Sequence, residues 1–358
     1  TIAIVLWWTI LRKLVRIKTK YRVTSIADFI SARYNRSQLL AAMAAVTAFL
    51  GTMPYIALQL KAMMTTFTIV SPLTTATSWT QNYVGHIVVC LMVPFTIIFG
   101  VRRIDPTERQ QGMIVAVATE SLVKLIAFLA VGIFVTYFLY DGFADILQRT
   151  ADSGYRKNLS FAGSTGTTYT LWTTYLILGM AAVMFLPRQF HVGVVENTSE
   201  KNILSAMWLF PLYMLLINIF VVPIAMGGLL KGFAPGLADT FVLRLPMKYG
   251  NPLLTLFVFI GGLSAATSMI MISAMTMATM ITNHLVLPLA EWIKPLGFLK
   301  RYILQCRWGA VAAFILFGYG FERLVGTSYM LVNIGIMSFV AALQFAPPIL
   351  MGIFWKGA

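Results

Sequence analysis

The chain has 358 residues, of which 59% are hydrophobic and 11% charged, and its mean hydropathy is +0.80. Soluble globular domains average about 45–50% apolar and about 25% charged residues, so the composition excludes a water-soluble enzyme and implies a polytopic membrane protein. The net charge of +15 would suggest a nucleic-acid partner in a soluble protein, whereas in a membrane protein it reports which loops face the cytoplasm.

Hydropathy predicts nine spans in chain order, near residues 1–11, 38–70, 83–101, 112–140, 170–187, 203–230, 251–288, 308–324 and 328–354. The chain starts at Thr1, and its first span reads as the tail of a longer one. With that span running inward, 18 of the 27 basic residues fall on one side, many of them in a long loop at 12–37, and seven fall on the other. The positive-inside rule therefore puts the larger set, with the visible C-terminal end, in the cytoplasm, and anything following Ala358 would be cytoplasmic too. No nucleic-acid partner is needed to explain the basic run from Arg12 to Arg36. Two outer loops are substantial, 141–169 with an amphipathic stretch from Asp141 to Arg156, and 232–250 with Pro235 and Pro246. They read equally well as extracellular lids or as plain connections. Cys90 and Cys306 are the only cysteines, too few for a disulfide framework or for metal-ligand spacing.

In hydrocarbon a polar side chain is costly and tends to mark a solute or ion path. The second span carries Tyr55 and Gln59 on a common face, with Lys61 near its outer end. The fourth carries Glu120 and Lys124, four residues apart and on one face, which reads either as a structural pair or as an ion or proton relay. In the fifth, Trp172, Tyr175 and Gly179 precede Pro187, and Gly179 serves either as a point of unwinding or simply for packing. The seventh is the richest, with Ser264, Thr267, Ser268, Ser273, Thr276, Thr279 and Thr282. Neighbouring hydroxyls there can hold sodium, a hard cation that prefers oxygen, but each can equally bond the carbonyl a turn earlier. The five methionines of this span, from Met269 to Met280, read as flexible packing, and His284 reads as an interfacial residue without a partner. In the ninth span the Pro347-Pro348 pair removes two backbone donors and should break the helix near Gln344.

Four stretches resemble the sodium:solute symporter family. They are Thr24-Ser25-Ile26-Ala27-Asp28-Phe29-Ile30-Ser31-Ala32-Arg33-Tyr34; Gly100-Val101-Arg102 with Thr107-Glu108-Arg109-Gln110-Gln111; the hydroxyl-bearing seventh span; and Gln344-Phe345-Ala346-Pro347 through Phe354-Trp355-Lys356. The resemblance covers nearly the whole chain as a single transmembrane transporter domain, 1–358. It implies a LeuT-like core of inverted repeats in which the nine spans are core helices two to ten and core helix one is missing. It further implies that Thr267 and Ser268 are sodium-site hydroxyls, that Glu108 lies near the inner ion exit, and that Gln344 faces the solute. Tyr55 and Gln59 would approach the same cavity, with Tyr175 as a further solute contact and Glu120 and Lys124 along the ion path. Glu120 to Lys124 and Pro187 to Asn197 are most similar to the branch fused to sensor histidine kinases. The expected function is thus sodium-coupled symport of a small polar solute, such as an amino acid, across a bacterial inner membrane. A transporter-like sensor domain for a fused or associated kinase is the alternative, and any enzymatic activity would reside in that kinase.

Overall fold

The computed structural model describes residues 2–71, 78–101, 111–155, 169–325 and 331–355, and among these every regular element is helical. Seven helical segments are long and apolar enough to cross a bilayer, and a bent pair, Tyr169–Phe185 with Pro187–Val195, makes an eighth. The protein is therefore an all-helical, multi-pass membrane protein.

The first predicted span differs most from expectation. Helix α1 (Ile2–Tyr21) does not stop at residue 11 but continues through Arg12, Lys13, Arg16, Lys18 and Lys20, charges that take it outside the set of apolar spans. Much of the loop expected at 12–37 is thus helical. Arg22, in the left-handed region at φ 52°, turns the chain into α2 (Ile26–Arg33), and Asn35 and Arg36, also left-handed, turn it into α3 (Gln38–Val70). A second helix instead of a loop follows from the local sequence. Ser25 accepts a hydrogen bond from the Asp28 N–H at 3.1 Å, an N-cap that starts α2 before its apolar face of Ile26, Phe29 and Ile30 is buried.

The remaining spans are α4 (Ser78–Gly100), α5 (Gln111–Ile133, extended by a π turn to Leu139), and α7 (Tyr169–Phe185) with its continuation α8 (Pro187–Phe190); α6 (Phe143–Asp152) lies between α5 and α7. They are followed by α9 (Glu200–Ile219), α10 (Val221–Leu230), α11 (Phe241–Lys248), α12 (Pro252–Ile281) and its extension α13 (Leu287–Trp292). The bundle ends with α14 (Ile303–Val325), α15 (Leu331–Leu343) and α16 (Ala346–Phe354). Helices α3 and α12 pack together at the centre, with α14 and α15 against α3, and α4 and α5 against α12. By contrast α9 presents Trp208 (79% exposed) and Leu209 (63%) outward, as a helix does when its partner is lipid.

The two outer segments are structured. Around 141–155 the amphipathic stretch forms α6, and the 232–250 segment forms a short 3₁₀ turn (Pro235–Thr240) and α11. Phe241 and Leu245 of α11 and Ile146 of α6 join Val131, Val135, Phe220 and Ile224 in a second apolar core over one end of the bundle.

Small residues set the spacing of the central helices. A Cβ on Gly51 of α3 would come within 2.5 Å of the Ala341 Cβ on α15, and one on Gly318 of α14 within 2.5 Å of the Ile56 Cγ2 on α3. Gly318→Val should therefore push α14 off α3 and lower unfolding stability in detergent by about 1–3 kcal/mol, the usual cost of overpacking. Gly309→Val, in open space on the same helix, should leave the unfolding midpoint nearly unchanged. Equal midpoints for both variants would show that the close approach does not constrain the bundle.

Candidate functional site

The polar groups inside the spans fall on both sides of α12. On one side α4, α5 and α12 border an open cavity of about 720 Å³ whose wall is largely apolar, including Phe95, Phe99 and Val117. Its oxygen donors are Glu120 from α5 and Ser264, Thr267 and Ser268 from α12, with Thr119 also on the wall. Two candidate groups that are distant in sequence, Glu120 and the Thr267-Ser268 hydroxyls, are thus brought to one space.

Thr267 and Ser268 each make the local bond expected of a membrane Ser or Thr. Thr267 Oγ1 donates to the Leu263 carbonyl at 2.8 Å and Ser268 Oγ to the Ala265 carbonyl at 3.2 Å; Ser273, Thr276 and Thr279 do the same with carbonyls one turn earlier. Such a bond uses the proton and leaves the oxygen lone pairs for a cation, so back-bonding and cation ligation are compatible. Glu120 Oε1 is buried with no hydrogen-bond partner among the described residues. The expected Glu120–Lys124 contact pair does not form: the two charges interact only from beyond ion-pair distance, and Lys124 instead sits where its backbone faces Gly261 of α12. The register explains the difference, because Glu120 faces the cavity while the next turn of α5 packs on α12.

On the other side of α12, Tyr55 of α3 donates its hydroxyl to the Met269 sulfur at 2.8 Å. Gln59 lies one turn further along the same helix, half-buried. Neither residue lines the cavity holding Glu120, though Met269 is only two residues beyond Thr267. Above the Tyr55 ring lies the guanidinium of Arg188, 4.1 Å from its centroid. Arg188 directly follows the predicted span at 170–187, where a basic residue reads as a loop cation, yet it packs over Tyr55 with its Nε buried and without a hydrogen-bond partner among the described residues. It reaches there because α7 and α8 meet at a 47° bend, where Leu186 takes the extended conformation (ψ 128°) that a following proline demands. Helix α7 runs unbroken through Gly179, so the bend belongs to Pro187 and not to the glycine.

Tyr175 is 39% exposed on α7 and does not line the cavity. Gln344 lies exposed in the break between α15 and α16. The break itself is as expected: Pro347 and Pro348 cannot donate to the Leu343 and Gln344 carbonyls, which leaves both free of their helical partners. Glu108, with Arg102 to Gln110, lies outside the described residues.

One pairing was not anticipated. The His284 Nε2, in the π turn that follows α12, is 2.9 Å from Asp28 Oδ1 of α2. The Asp28 carboxylate also accepts from the Thr24 N–H at 3.0 Å and from the Thr24 hydroxyl. From the same helix, Arg33 donates to the Gly352 carbonyl, and from its C-cap Tyr34 donates to the Pro348 carbonyl at 3.0 Å. Helix α2 therefore ties the end of α12 to α16. Sequence placed His284 at an interface without a partner; the pairing joins segments far apart in the chain, and its only local trace is the Ser25–Asp28 capping pattern.

Burial acts to raise the Asp28 carboxyl, but the hydrogen bonds from His284 and Thr24 outweigh it and hold the group below its ordinary value of 3.8. A carboxylate held low in the folded state stabilises the fold above its unfolded value and loses that contribution as pH falls through the folded one. Asp28→Asn should lower unfolding stability by about 1–3 kcal/mol at neutral pH, with the gap to the native chain closing only below the ordinary carboxylate range. A pH titration of the two unfolding midpoints checks this; a gap that stays constant into acid would mean that the Asp28 charge plays no part.

No family model matches the chain and no curated protein matches it.

Proposed function

We propose that the chain is a secondary-transport domain that moves a small polar solute together with sodium by alternating access. The observation that carries the reading is the convergence of Glu120, Thr267 and Ser268 on one otherwise apolar cavity. Sodium prefers several oxygen ligands, and a carboxylate with two hydroxyls supplies a charge and two neutral donors. A carboxylate buried without a partner is costly in a membrane, and a bound cation removes that cost. The break at Gln344, with two carbonyls freed by prolines, is the kind of discontinuity that lines solute and ion sites in transporters built from inverted repeats. These features, together with the resemblance of four stretches to sodium:solute symporters, support a LeuT-like arrangement. In that arrangement the α2 tie to α12 and α16 serves as an inner gate contact.

Sodium can shift such a protein between states only through its differential affinity for them. Thr267→Ala and Ser268→Ala should each raise the sodium concentration for half-saturation by about tenfold, the equivalent of one ligand bond, with Glu120→Gln larger still. The readout is binding of radioactive sodium to the purified protein in nanodiscs, which requires no knowledge of the solute. Unchanged sodium affinity in all three variants would refute this site.

A further inference from the structure

The cation at the kink between α7 and α8 has no counter-charge in contact among the described residues. Arg188 presents five N–H donors in a planar fork, yet its one contact among the described residues is the face of the Tyr55 ring, and its Nε is buried without an acceptor. A ring face attracts a cation but accepts none of these in-plane N–H groups. A second cation, Lys124 of α5, lies within electrostatic range of Arg188, and so does Glu120 of Lys124. Glu120 offsets one of the two positive charges, which leaves one unneutralised inside the bundle. Buried charges are retained where they are paired, and a lone cation in a membrane interior marks a site whose partner arrives from outside.

We propose that Arg188, Lys124 and Tyr55 form the binding site for the carboxylate of a singly anionic or zwitterionic solute, with Arg188 as its bidentate partner. The fork of a guanidinium matches the two oxygens of a carboxylate, and the balance of one positive charge selects a monoanionic group over a dianion such as phosphate. Tyr55 holds the fork by its ring from one side while its hydroxyl is tied to Met269, so neither group of the tyrosine takes up the in-plane N–H donors of the guanidinium. Arg188 lies where the chain bends by 47°, so a ligand held there bridges the kink and the central helix α3. The inference rests on the transport reading and narrows its solute to a carboxylate.

The test uses the purified full chain in nanodiscs and follows the unfolding midpoint against matched small ligands: acetate and acetamide, lactate and lactamide, L-alanine and L-alaninamide, and inorganic phosphate. The carboxylates should raise the midpoint while the amides and phosphate do not. Arg188→Gln should weaken the response at least about 30-fold in concentration, and Arg188→Lys, which keeps the charge but not the fork, should weaken it less. Equal responses to acids and amides, a stronger response to phosphate, no response to any carboxylate, or an unaltered response in Arg188→Gln would each overturn the proposal. The first three are read on the native chain and do not depend on the variant folding. A sodium titration of the same samples separates the two readings: a carboxylate response without any sodium effect would sink sodium coupling and leave this site standing, and the converse would sink the site alone.

Discussion

A bilayer offers a helix no hydrogen-bond partner, so every polar group within the bundle must find one inside the protein or hold a place for something that brings it. Most groups obey the first condition. The α12 hydroxyls return their protons to carbonyls three or four residues earlier, and Tyr55 finds the Met269 sulfur. The exceptions among the described residues include the charged groups Glu120 Oε1, Arg188 Nε and Arg307 Nε and neutral ones such as Thr96, Thr136 and Ser338, while the Leu343 and Gln344 carbonyls lose their partners to the proline pair. Two of these departures, Glu120 and Arg188, carry opposite charges and approach α12 from different sides. That separation is what an apolar bundle needs to accommodate a cation and an anion at once.

The same constraint explains which parts of the fold were legible in the sequence. A span needs about 20 apolar residues, so the spans from 38–70 onward could be read from hydropathy, and seven of the eight between residues 38 and 354 reappear as segments long and apolar enough to cross, with 170–187 inside the bent pair. The prolines were equally legible, because a missing N–H acts locally: Pro347 and Pro348 broke the helix where expected. Gly179 left two readings open because glycine permits a bend without requiring one, whereas Pro187 requires an extended residue before it. The segment after residue 11 misled for a different reason. Its basic residues marked a loop by composition, but charge along one stretch does not prevent a helix, and α1 simply carries them out of the apolar layer.

The site was legible in part. Residue type within a span identified Glu120, because a carboxylate is rare in such surroundings, whereas Thr267 and Ser268 were distinguished from the other hydroxyls of their span only by the resemblance to the symporter family. What the sequence could not provide was pairing across the fold. Glu120 and Lys124 share a face by spacing, yet the neighbour of each is set by how α5 leans on α12 at Gly261. Arg188 looked like one more loop cation because its number falls after a span, and only the kink at Pro187 turns it inward over Tyr55. His284 and Asp28 were both visible as residues but not as a pair, since their contact depends on α2 being a helix docked on the bundle.

The two proposed sites are not independent, because Glu120 belongs to both balances. As long as it is unliganded, its negative charge partly offsets Lys124 and so weakens the pull of the Lys124–Arg188 pair on an anion. In the proposed sites, sodium held by Glu120, Thr267 and Ser268 would cancel that charge, raise the positive potential across α12 and strengthen carboxylate binding. By linkage the carboxylate must then strengthen sodium binding by the same factor. Coupling of this kind needs no conformational relay between the sites, only a shared charge in a medium of low dielectric, where interactions are weakly screened. With a singly anionic solute the bound pair together would add no net charge to the bundle. A loaded domain is therefore electrostatically closer to the empty one than either singly loaded form, which is the ordering that tight coupling between ion and solute requires.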